Sequence, residues 1–143
     1  MSQATAKRDR GFTLIEVLIG MALIGIAVMG LAELFTLAVL QNRQADRIAN
    51  ATFLAQQEID TVRNMTSAEI SAQAGVPLDE PLDINADGVD DYRRITQILS
   101  TGNLWDVRVF VFSAEHMETD LDELIADPDG HRARSQIQTL VSR

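Results

Sequence analysis

From Phe12 to Leu40 the chain is almost wholly apolar, contains no proline, and carries charge only at Glu16 and Glu33. At about 1.5 Å of rise per residue, a helix of this length exceeds a hydrocarbon core of roughly 30 Å. The pattern then changes without breaking. From Gln41 to Met65 there is neither proline nor glycine, and Ile48, Ala51, Ala55, Ile59 and Val62 recur at spacings of three and four, which marks one apolar helix face. Arg43, Gln44, Arg47, Gln56, Gln57 and Arg63 supply the polar positions around it. The spacing predicts one helix over residues 12–65, its first part (residues 12–40) in an apolar medium and its second part backing a small domain.

Beyond Met65, Ser, Ala, Gly, Pro and Asp predict a connecting region from Thr66 to Asp91. Three segments then have strand character: YRRITQIL (Tyr92 to Leu99), LWDVRVFVF (Leu104 to Phe112) and SQIQTLVSR (Ser135 to Arg143). In the second, Trp105, Val107, Val109 and Val111 alternate with Asp106, Arg108, Phe110 and Phe112. Ser100, Thr101, Gly102 and Asn103 predict a hairpin turn. The expected fold is α+β: a long N-terminal helix whose C-terminal half packs on a small antiparallel sheet, leaving the sheet one buried and one wet face. Three parts follow: residues 1–11, the helix over 12–65, and a soluble head over 66–143.

The start of the apolar run adds chemistry. Lys7, Arg8 and Arg10 precede it against Asp9 alone, and basic residues beside a span favour the cytoplasmic side, which places the head outside. A secretory signal has a shorter apolar stretch, followed by its cleavage site. Here the sequence is RGFTLIE, with Gly11 and Phe12 ahead of the apolar stretch. A carboxylate within a bilayer costs about 2.5–3.5 kcal/mol near a helix centre, so Glu16 calls for a partner or a snorkelling position at the membrane edge.

Gly11, Phe12 and Glu16, with Thr13, Leu14, Ile15, Val17, Leu18 and Ile19 between and beyond them, resemble the N-terminal motif of type IV pilins and of the pseudopilins of type II secretion. The resemblance implies cleavage after Gly11 by a prepilin peptidase and methylation of Phe12. It also implies that Glu16 pairs with the Phe12 amine of a neighbouring subunit during assembly. The implied partners are other minor pilins, the major pilin, the inner-membrane assembly platform and the membrane itself. Major pilins carry a proline near the position of Glu33; this chain has none before Pro77, which points to a minor subunit. The alternating second strand and the closing TLVSR are similar to PilV-type minor pilins.

The net charge is −9 and falls to −11 once a leader with three basic residues and one acidic residue is removed. Nucleic acid is therefore not an expected partner, because phosphate binding needs a basic footprint. There is no cysteine, so no disulfide staples the head. A head of roughly 75 residues has a core worth only about 3–5 kcal/mol, which makes burial against the helix necessary.

DINADGVDD is the sharpest candidate site outside the apolar helix. Asp83, Asn85 and Asp87 followed by Gly88 match the opening of a calcium loop, but Arg94 stands where the closing glutamate would be, leaving Asp90 or Asp91 as substitutes. The readings are a calcium site using Asp83, Asn85, Asp87 and Asp91, or a solvated acidic turn. A second acidic stretch runs from Glu118 to Gly130, with Leu121, Leu124 and Ile125 on one side of a candidate short helix; the readings are a solvated connection whose apolar residues cap the core, or a partner-contacting insertion. His116 and His131 are read as surface or structural residues, and Trp105 as core. No catalytic constellation is recognisable, so the chain is expected to be no enzyme. The expected function is that of a minor pilin near the tip or at the initiation of a type IV pilus. Two alternatives stand beside it: a minor pseudopilin of type II secretion, and a membrane-tethered, calcium-dependent binding module.

Overall fold

A computed structural model describes residues 12–102 and 104–142. The leader, Gly11, Asn103 and Arg143 lie outside the described residues. The chain divides into two compact units, of which the described parts are residues 12–42 and 43–142.

Helix α1 (Leu14–Asn64) runs through both units. Thr13 starts it: the Glu16 N–H donates to the Thr13 hydroxyl at 3.3 Å, so one of the unpaired first-turn donors is satisfied. In the first unit α1 buries no residue. In the second, Ala51, Leu54, Ala55, Glu58, Ile59 and Val62 are buried. Leu54 and Glu58 thus join the predicted stripe, whereas Ile48, one turn earlier, stays exposed.

The second unit adds α2 (Ser67–Gln73), β1 (Leu78–Leu82), β2 (Tyr92–Thr101), β3 (Leu104–Ser113), a single 3-10 turn at Ala114–His116, α3 (Leu121–Ala126) and β4 (Ser135–Ser142). The sheet has four strands in the order β1-β2-β3-β4, antiparallel throughout. Two elements therefore lie in the segment expected to be a connection. Thr66 and Glu69 form a capping box that starts α2: the Thr66 N–H donates to the Glu69 carboxylate at 2.7 Å, and the Glu69 N–H donates to the Thr66 hydroxyl at 3.4 Å. Strand β1 tolerates Pro81 because it is an edge strand, where a missing N–H breaks no ladder bond. Between β2 and β3 the register pairs Thr101 with Leu104, and Gly102 takes φ +63°, a left-handed conformation suited to a two-residue hairpin.

The α+β expectation of a long helix on a small antiparallel sheet holds, and it is consistent with a pilin fold. One face of the sheet packs on α1. Ile98, Val107, Val109, Val111 and Val141 meet the buried stripe of the helix, with Trp105 and Ile137 partly buried beside them. The opposite face is not simply wet. Ile95, Phe110, Phe112 and Leu124 form a second buried cluster, closed by Leu121, Ile125 and Ala133. Two phenylalanines at nominally outward positions are too much apolar surface to leave in water, and α3 with the segment after it covers them. The acidic stretch around α3 caps the core, as its leucines suggest.

Candidate functional site

Two groups of residues carry candidate chemistry, one in each unit. In the first unit, Phe12 is 84% exposed, and the large apolar side chains from Leu14 to Leu40 are all exposed. Soluble chains seldom present so extended an apolar surface to water. The helix is long and apolar enough to cross a membrane. Glu16 occupies its first turn, where a carboxylate also meets the positive end of the helix dipole. Among the described residues the Glu16 carboxylate has no hydrogen-bond or ionic partner. Further along, the Thr36 hydroxyl donates to the Ala32 carbonyl at 3.0 Å, which satisfies it without water. Gly11, the residue before the expected cut, lies outside the described residues.

In the second unit, Asp83, Asn85, Asp87 and Asp91 share one loop between β1 and β2. The Asp83 carboxylate accepts N–H bonds from Asn85 at 3.2 Å, Ala86 at 2.7 Å and Gly88 at 2.8 Å. Asn85 accepts from Asp87 and Asp87 from Val89, each at 2.9 Å, while Asp91 accepts from Ile84 at 3.2 Å. The bend needs two left-handed residues, Ala86 at φ 58° and Gly88 at φ 86°. The Gly88 N–H, above all, holds the Asp83 carboxyl below its usual range. These oxygens face the loop's own backbone. Among the described residues no three carboxylate or imidazole groups converge as a metal-binding set.

Sequence reasoning missed the principal electrostatic feature of the head. Arg94 on β2 reaches the sheet face covered by α1, where its guanidinium meets the Glu58 carboxylate at 3.0 Å and also pairs with Glu80 of β1. Glu58 and Arg94 are close to fully buried, at 7% and 11% side-chain exposure. On the opposite face Arg93 forks onto Asp79 at 2.9 and 2.7 Å and donates to the His116 and Thr119 carbonyls at 2.8 and 2.6 Å. The hydrogen bond to Asp79 raises the Arg93 pKa further. Asp106 binds Arg108 and Gln138 on that face. Burial pushes the Asp106 pKa up, but those hydrogen bonds and the Arg108 charge outweigh it, and the net shift is downward. All of these groups are engaged with one another, in the manner of structural pairs. His116 and His131 come together edge to face, ring centroids 5.7 Å apart, with His131 3.4 Å from Glu123. A second ring contact joins His116 to Phe112.

Residues 6–32 match the model of the prokaryotic N-terminal methylation motif. Neither a curated protein nor a solved structure matches the chain. The motif spans Gly11, Phe12 and Glu16, and it supports a pilin or pseudopilin, a class whose role is structural rather than enzymatic. It implies processing by a prepilin peptidase and assembly with other pilins. The apolar helix that follows fits a membrane anchor.

Proposed function

We propose that the chain is a minor pilin, processed between Gly11 and Phe12, methylated at Phe12 and built into a type IV pilus near its tip or at its initiation. The observation that carries this reading is the methylation motif opening onto a helix that buries nothing of its own from Phe12 to Leu40. Such a helix needs lipid before assembly and other subunits after it. In the filament Glu16 neutralises the Phe12 amine of a neighbour, and this transfer from bilayer to helix bundle is the mechanism. The head faces outwards and sets the contacts above, in the manner of PilV-type minor pilins. A minor pseudopilin of type II secretion would use the same physics; it would differ in its company, exported enzymes and a secretin rather than retraction machinery.

Intact-mass measurement on membrane and sheared-fibre fractions, with and without the prepilin peptidase, tests the reading. The expected fibre species begins at methylated Phe12 and appears only with the peptidase. A species retaining residues 1–11 and confined to the membrane in both strains would sink it.

We further propose calcium as the ligand of the loop holding Asp83, Asn85, Asp87 and Asp91, on the strength of the D-x-N-x-D-G spacing and its two left-handed residues. Binding requires the carboxylates to offer their outer lone pairs. Heat on calorimetric titration at millimolar calcium, abolished by Asp83→Ala with Asp87→Ala, is the expected result; no heat removes the proposal.

A further inference from the structure

A cleft of about 370 Å3 opens in the second unit, where α1, the β1–β2 loop, the 3-10 turn and the start of β4 meet. Ligand clefts begin at about 300 Å3, so there is room for a small molecule and little more. Charges of both signs line it. Arg47 of α1 and Arg134, directly before β4, supply the cations, whereas Asp90 of the β1–β2 loop and Glu115 of the 3-10 turn supply anions. Asp91 lines the cleft too, but its carboxylate already accepts from the Ile84 N–H.

Elsewhere in the head, arginines are paired. Arg93, Arg94 and Arg108 hold carboxylates at 2.7, 3.0 and 2.8 Å. Among the described residues, the side chains of Arg47 and Arg134 have neither an ion pair nor a hydrogen bond, and the same holds for Asp90 and Glu115. Arg134 is the sharpest case, because it is half-buried and its Nε is sealed from solvent without a hydrogen-bond partner. A guanidinium partly withdrawn from water without an acceptor is uncompensated. Opposite charges that share one cleft yet stay unpaired are placed to meet the two ends of a ligand rather than each other. Ile84 and Val89, both exposed, add apolar surface to the lining.

The geometry points to a binding site for a small zwitterion with an aliphatic body, the chemistry of a free α-amino acid such as leucine. Its carboxylate meets the Arg47 and Arg134 guanidinium groups, whose planar forks suit a carboxylate. Its ammonium meets Asp90 and Glu115, and its side chain covers Ile84 and Val89. A simple anion is disfavoured because the lining has three acids to two arginines. A simple cation would leave the half-buried Arg134 without an acceptor. A zwitterion satisfies both sets of charges.

Calorimetric titration of the full chain in detergent micelles, in calcium-free buffer and against protein-free micelles, tests the site. The probes are leucine, isocaproate, which is leucine without its ammonium, and isoamylamine, which is leucine without its carboxylate. The expected result is saturable heat with leucine at millimolar concentration and binding of either half-ligand weaker by about tenfold or more, equivalent to roughly 1.4 kcal/mol. Arg47→Gln, Arg134→Gln and Glu115→Gln should each weaken leucine by a similar factor. Arg47 and Glu115 are exposed, so those two variants should keep the wild-type melting temperature and decide the matter even where Arg134→Gln disturbs the fold. No heat with leucine, equal binding of leucine and a half-ligand, or undiminished leucine binding by the Arg47 and Glu115 variants overturns the proposal.

Discussion

The two parts of α1 place similar demands on their surroundings and meet them differently. Residues 14–42 are the more apolar part and bury nothing, whereas residues 43–64 bury six side chains against the chain's own sheet. Each part also carries a glutamate. Glu58 sits in the buried stripe with Arg94 of the same chain at 3.0 Å, and Glu16 sits in the exposed part without a partner among the described residues. A charge taken from water needs compensation wherever it goes. The chain compensates Glu58 within its own fold, whereas for Glu16 the proposed partner is the Phe12 amine of a neighbouring subunit. One helix thus combines a segment whose environment is internal with one whose environment must be supplied.

The largest expected effect follows from the external half. Glu16→Ala should reduce incorporation into fibres about tenfold or more, the loss expected when a charge inside an apolar medium loses its counter-charge. The same substitution should leave the melting temperature of the head unaltered, because Glu16 belongs to the other unit. Immunoblots of sheared fibres together with thermal melts read both. Normal fibre content, or a destabilised head, would dissolve the contrast between the two glutamates.

The internal half should behave the other way round. Breaking one side of a buried pair strands the other charge and costs about 3–5 kcal/mol. Arg94→Met, which strands the buried Glu58, should therefore lower the melting point of the head by something on the order of 10–40 °C, at about 4–8 °C per kcal/mol for a domain of roughly 100 residues, and Glu58→Ala should cost less, because Arg94 keeps its pair with Glu80. The double replacement Glu58→Leu with Arg94→Met should be much milder than Arg94→Met alone, since no buried charge is left alone except the half-exposed Glu80. Equal damage from single and double variants would show that the site matters through packing rather than charge.

How far these roles were legible in the sequence depends on the range of the interactions behind them. The apolar run, the stripe through Ala51, Ala55, Ile59 and Val62, and the alternation of β3 are local periodicities, and they predicted α1 and three strands within a few residues. The Thr66-to-Glu69 capping box was also local and readable, but it was hidden in a stretch whose Ser, Ala and Gly suggested a connection. Strand β1 was obscured by its proline and acids, the features that suit it to an edge. Phe110 and Phe112 were the signal that the far face of the sheet is covered; strict alternation assigned them to water. Arg94 was the least accessible. Its partner Glu58 lies on another element, and in the sequence Arg94 registered only as the residue spoiling a calcium loop. At the N-terminus the motif exposed the candidate residues directly, because it is one short contiguous segment.

The smallest expected effect comes from acid, and it sharpens the comparison because it acts on one unit only. Asp106, Asp83 and Glu69 of the head all have carboxyls held below their ordinary values, 3.8 for the aspartates and 4.5 for the glutamate. The native head therefore keeps these groups ionised at a pH where the unfolded chain has begun to bind protons. Their stabilisation is complete above the unfolded values and is lost as pH falls through the lowered native ones. Urea melts of the head should show stability declining below about pH 4.5, with Asp106→Asn flattening the part due to the Arg108 and Gln138 contacts. Retention of the chain in membranes should not follow that decline, because burial of the apolar side chains from Phe12 to Leu40 in lipid involves none of these carboxylates. A head that melts in acid while the chain remains in the membrane fraction would show the two units to be stabilised independently. Release of the chain over the same pH range would instead show that folding of the head helps to hold the helix in place.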